Sequence, residues 1–165
     1  MINFFLIFFF SLIDFKILKA SEININSIIT LDNNIPKECG LNFKITNNDI
    51  NTKISIKKKE DKSTFTHFSI ESKNIEIKQA NLISPSVNLL VLLKKKNKNK
   101  NKFEIENVTD LDETNMFFQE ILISGGELII NDSKFQITGP IDSKVRLEYL
   151  FCTGEMFLPN YEQNL

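Results

Sequence analysis

Three side chains stand apart by scarcity and reactivity: His67, the only histidine, and Cys39 and Cys152, the only cysteines. One His leaves a Ser or Cys nucleophile a single possible base, and this set excludes a multi-His or multi-Cys zinc site. His67 lies in Thr64-Phe65-Thr66-His67-Phe68. In a strand it shares a face with Phe65 and Ser69, where a distant carboxylate could pair with it for acid–base work. A lone strand histidine is more simply a structural residue. Gly-X-Ser-X-Gly, a phosphate-cradling Gly loop and His-Glu-X-X-His are all missing from the sequence. Asp110, Asp112 and Glu113 gather oxygen ligands of the kind Ca²⁺ takes. They lack the Gly and the ligand spacing of an EF-hand, and acids in a first helical turn explain them equally well. Glu104 and Glu106 alternate onto one strand face, but acids are too numerous to single out a catalytic pair. The expectation is a non-enzyme with no catalytic, cofactor-binding or metal residue to assign.

The cysteines point to structure instead. Residues 1–13 form an apolar block of about a dozen residues, shorter than the roughly 20 of a spanning helix and matched to the core of a secretory signal peptide. Ala20-Ser21 offers a cleavage site. Residues 1–20 are read as a signal peptide and 21–165 as one domain, placed in the lumen of the secretory pathway or secreted. An even cysteine count in that compartment predicts a Cys39–Cys152 disulfide.

Lys94 to Lys102 (KKKNKNKNK) reads as a low-complexity loop between strands. Lys94, Lys95, Lys96, Lys98, Lys100 and Lys102 make it a candidate site for a polyanion, either a sulfated glycan or an acidic membrane surface. A nucleic-acid partner is not expected: the net charge is −1, the chain has a single Arg, and aromatics do not interleave with these lysines. Lysine, asparagine and isoleucine, all with AT-rich codons, number 19, 20 and 24, so Lys/Asn patches carry little weight alone. Asn107-Val108-Thr109 and Asn131-Asp132-Ser133 are glycosylation sequons, marking Asn107 and Asn131 as weak glycoprotein sites.

The elements that must position these residues announce themselves by period two. Leu41, Phe43 and Ile45 alternate, as do Ile54 and Ile56, Phe68 and Ile70, Ile75 and Ile77, and Phe103 and Ile105. Ser86 to Leu93 is a strand-sized apolar run, and Val145, Leu147, Tyr149 and Phe151 alternate through Lys144 to Phe151. Glu127 to Thr138 reads as a hairpin turning at Asn131-Asp132-Ser133, bracketed by Gly125-Gly126 and Gly139-Pro140. One short helix is expected near 110–122, capped by Thr109. Charge divides along the chain: residues 21–102 hold 15 Lys against 8 acids, and residues 103–165 hold 12 acids against 3 basic residues.

The expected fold is all-β: a single-domain antiparallel β-sandwich of about 7–10 strands. The expected function is a secreted or lumenal non-enzymatic protein-interaction or adhesion module acting through its surface, with protein partners in the secretory pathway or at a cell surface. The alternatives are a lumenal subunit of a secretory-pathway membrane complex and a lipid-carrying β-sandwich.

Overall fold

The computed structural model describes residues 22–61, 63–89, 94–98, 100–107 and 111–157, and for residues 94–98, 107 and 111 the backbone alone. The signal-peptide segment 1–20, residues 90–93, Thr109 and Asp110 lie outside that set. The chain is mostly β, with two antiparallel sheets and two short helices. The larger sheet holds β1 (Ile23–Asp32), β2 (Ile35–Ile45), β3 (Ile50–Lys58), β4 (Thr64–Ser72), β6 (Lys94–Lys98) and β7 (Lys102–Asn107), in the order β1-β2-β3-β4-β7-β6. The smaller holds β5 (Ala80–Ile83), β8 (Gly125–Ile130) and β9 (Ser133–Thr138), in the order β5-β8-β9. The helices are α1 (Leu111–Ser124) and α2 (Ser143–Phe157).

Alternation builds the large sheet because strand pairing brings the apolar positions into rows. Leu41, Ile54, Phe68 and Ile105 stand opposite one another across β2, β3, β4 and β7, followed by Phe43, Thr52, Ile70 and Phe103. This inner face joins Leu82, Leu128 and Ile130 of the small sheet, Phe117 and Phe118 of α1, and Tyr149 and Met156 of α2 in one buried cluster. Each fully buried Phe, Leu or Ile contributes about 1.5–3 kcal/mol of transfer free energy. Gly40 belongs to the outer face, opposite Ser55, where a Cβ would sit 2.1 Å from the Ile54 carbonyl oxygen. Only glycine allows that approach.

The hairpin and the first helix lie where the sequence places them. Phe135 and Ile137 return opposite Leu128 and Gly126, and Gly125 ends α1 at φ +79°. Four expectations are corrected. Lys144 to Phe151 is not a strand but the first part of α2, so the mostly-β domain carries two helices where one is expected. Val145, Tyr149, Cys152 and Met156 recur at i, i+4, i+7 and i+11 and are buried, while Leu147 and Phe151, inward in a strand, are exposed. Asp142 starts the helix, its carboxylate accepting the Lys144 N–H at 2.9 Å. The Lys94–Lys102 segment is not one loop: its first five residues form the edge strand β6 and Lys102 begins β7. Ile75 and Ile77 belong to a connection between β4 and β5, although Ile77 is buried. In the run from Ser86, Asn88 makes only an isolated bridge to Ile83.

Cys39 and Cys152 are bonded, with Cα atoms 5.8 Å apart and 113 residues between them in sequence. The bond joins β2 to α2. Replacing both cysteines with alanine should lower unfolding stability by up to about 4–5 kcal/mol in the chain-entropy model, measured by urea titration of the oxidised protein against the variant. A loss under roughly 1 kcal/mol would show that the link does little to restrict the unfolded chain.

Candidate functional site

β4 and β7 carry His67 and Glu104 to the outer, polar face of the large sheet. His67 stands opposite Ser55 on one side and Glu106 on the other. Its Nε2 lies 2.7 Å from Glu104 Oε1, in a setting where the imidazole is largely buried. Lys102 Nζ sits 3.7 Å from Glu104 and 3.3 Å from Glu71. Glu38 accepts the Ser55 hydroxyl at 2.6 Å and pairs with Lys57 at 3.4 Å. A cavity of about 210 Å³ opens among these groups. The His67–Glu104 pair can share a proton, but Ser55, the hydroxyl opposite the ring, is directed to Glu38, so no serine–histidine relay is formed. Apart from Lys53, the charged groups of the cavity walls pair with one another, an arrangement that braces four strands.

Among the described residues no group of three or more His, Cys, Asp or Glu could hold a metal ion. Asp112 and Glu113 occupy the first turn of α1, where a carboxylate favours the helix dipole.

Lys94, Lys95, Lys96 and Lys98 lie along the edge strand β6, Lys100 in the exposed turn that follows, and Lys102 in the ion pairs above. In the backbone register Lys94 stands opposite Glu106 and Asn97 opposite Glu104. A wider cleft of about 690 Å³ at the ends of β2, β3 and β4 includes Lys44, Lys73 and Lys102, with Lys73 matched to Asp49 at 3.5 Å and Lys102 to Glu71.

Asn107 closes β7 opposite Thr66. Asn131 has φ 53° in the β8–β9 turn, and its partly exposed side chain bonds to backbone of the fold. Its Oδ1 accepts the Lys78 and Gln79 N–H groups at 2.8 and 3.3 Å, and its Nδ2 donates to the Glu76 carbonyl at 2.8 Å. The sequon residue therefore pins the β4–β5 connection. Glu120 of α1 does a related job for the segment after β5, accepting the Ser84 hydroxyl at 2.5 Å, the Ser86 N–H at 3.0 Å and the Ser86 hydroxyl. Those serine hydroxyls, Ser84 first, hold its carboxyl below the usual carboxylate range. Neither clamp is legible from sequence, since each joins segments more than 30 residues apart.

The remaining surface feature is apolar. Leu147, Leu150 and Phe151 on α2 are 53%, 54% and 68% exposed, and Ile29 and Leu31 on β1 are 44% and 53% exposed. Leu147, Leu150, Phe151 and Gly154 recur at i, i+3, i+4 and i+7, opposite the helix's buried stripe. α2 is thus apolar on two faces, and the core covers only one. Three links hold it to β1, β2 and β3 in turn: the Ser27 hydroxyl donating to Glu148, Cys152 bonded to Cys39, and Lys58 Nζ donating to the Met156 carbonyl at 2.7 Å. Burial pushes the Tyr149 phenol above its ordinary range, and its ring stacks on Phe118 at 4.7 Å.

Comparison with family models, curated proteins and solved structures gives no match. Function has to be argued from the chain's own geometry.

Two measurements check the clamps. Glu120→Gln should lower Tm at neutral pH. Because the folded pKa lies below the ordinary 4.5, the wild-type advantage is complete above about 4.5 and disappears as pH falls through the lowered value. A gap in Tm that persists unchanged at pH 2–3 would count against the clamp. Asn131→Ala should cost about 1–3 kcal/mol through lost hydrogen bonds and left-handed strain, read by urea titration, with faster amide exchange at residues 78 and 79. Unchanged exchange there would show that Asn131 does not hold the connection.

Proposed function

We propose that this chain is an exported, non-enzymatic protein-interaction module, with its two sheets layered as a β-sandwich and its contacts made through β1 and α2. The observation that carries this reading is the apolar set Ile29, Leu31, Leu147, Leu150 and Phe151, left in solvent on two elements that are tied to each other. Apolar side chains gathered in this way mark an interaction surface more often than scattered ones do. The polar clusters point the other way: His67, Glu104, Lys102, Glu71, Glu38 and Lys57 satisfy one another. The disulfide supports an oxidising compartment. No helix among the described residues is long and apolar enough to cross a membrane, which is compatible with a lumenal or secreted domain.

Native protein from the producing cell tests the reading in two steps. Intact mass should begin after residue 20 and rise by two hydrogens on reduction. Photo-cross-linkers installed at Leu150 and at the outer-face position Lys53 should give protein adducts from Leu150 and few from Lys53. A chain that still starts at Met1 with free thiols overturns the assignment to an exported form. Adducts confined to Lys53 overturn the choice of surface.

A further inference from the structure

The two edges of the large sheet differ in kind. β6 packs four lysines into five residues, the charge pattern with which natural sheets discourage a further strand. β1 runs ten residues without a lysine, arginine or proline, and its single charge is Asp32 at the end. Among the described residues no strand pairs with its outer side. We propose that the β1 edge is a self-association site, at which a second copy of this chain adds its own β1 antiparallel. The inference deepens the reading above by naming the partner.

Register, spacing and charge agree on how the two copies meet. α2 advances in the strand direction while stepping from β1 towards β3: Glu148 is tied to Ser27 of β1, Cys152 to Cys39 of β2, which pairs with Ile29, and Met156 to Lys58 of β3. Four helical residues rise about 6 Å and two strand residues about 6.6 Å, so the two elements keep step. A two-fold axis through Ile28 sets Ile25 opposite Leu31 of the second copy and Ser27 opposite Ile29, covering exposed apolar side chains. It also keeps Glu22 away from Asp32, which an axis through Ser27 would place face to face. α2 rests over both β1 and β2. Centred between strands about 4.8 Å apart, each α2 lies roughly 4.8 Å from the seam, so the two helices run about 9–10 Å apart, a normal packing distance.

The flank of α2 on the β1 side carries Lys144, Glu148, Phe151 and Glu155, at i, i+4, i+7 and i+11. In an antiparallel pair one flank faces its own copy. The same axis crosses α2 near Leu150, which brings Lys144 of each chain within about one residue of level with Glu155 of the other. Phe151, the most exposed large apolar residue, then sits near the centre.

Sedimentation velocity on the full chain, exported by a eukaryotic host with its disulfide intact, tests this at up to roughly 100 μM, a range that resolves micromolar affinity. The expected result is twice the monomer mass. Ile29→Lys should return the protein to monomer with an unchanged far-ultraviolet spectrum. Lys144→Glu should weaken the dimer about tenfold or more, and the double variant Lys144→Glu, Glu155→Lys should restore it. Amides of β1 should exchange more slowly in the dimer than in the Ile29→Lys monomer. A wild-type monomer across the whole range, or a dimer indifferent to both single variants, overturns the proposal. If the monomer still yields Leu150 adducts with other proteins, the interaction-module reading survives and only self-pairing is lost; if those adducts are absent too, both fail.

Discussion

The attachment of α2 to the β1–β2 pair is the constraint on which the rest of the molecule depends. It covers the inner face of β1 and β2 at the edge of the large sheet. The attachment is covalent at Cys39–Cys152 and polar at Ser27–Glu148, and Lys58 of the neighbouring β3 adds a third anchor at Met156. Between them Val145, Tyr149, Cys152 and Met156 close the core, and Tyr149 carries the contact on to Phe118 of α1. The same fixation has a second effect. A helix held so firmly cannot roll to hide Leu150 or Phe151, so its outward face stays apolar and uncovered. Closing the core and presenting a surface are consequences of one arrangement.

Much of the architecture was legible because alternation is a direct record of which face is buried. The rows through Leu41, Ile54 and Phe68, the hairpin at Asn131 and the pairing of the two cysteines could be read from residue type and spacing. The α2 segment misled for a physical reason. Its residues from Lys144 to Phe151 are apolar at every second position and also at helical spacing, because the helix is apolar on two sides. A period reads unambiguously only when one face is polar. The helical signals that do separate the two readings, Asp142 as cap and Met156 continuing the buried stripe, lie at or beyond the ends of that window.

The candidate site was less legible still. His67 and its face were readable, but Glu104 is 37 residues away, and only the crossover that inserts β7 beside β4 brings the two together. Asn131 stands in a glycosylation sequon, and that local triplet is all a sequence shows. Its three bonds to the backbone of residues 76–79 depend on where another sheet places that connection. Exposure is likewise invisible in sequence: nothing in Leu147, Leu150 or Phe151 tells which side of a helix the core will take.

The division of charge along the chain finds its use in β7. This strand begins the acid-rich part of the sequence and lies between β4 and β6, which both come from the lysine-rich part. Glu104 stands opposite Ser69 and Asn97, and Glu106 opposite His67 and Lys94. An acidic strand flanked by basic or polar neighbours lowers the electrostatic cost of assembling the sheet at that end, and like charges directly opposite are avoided. At the other end β1 and β2 meet with few charges, and charge matching there is confined to Lys37 and Asp32, 3.6 Å apart at the strand ends. A single sheet therefore has one side rich in charge pairing and lysine and another, at β1, rich in apolar side chains, with no strand paired to its outer side among the described residues. Four of the chain's lysines fall on β6, where they disfavour addition of a further strand.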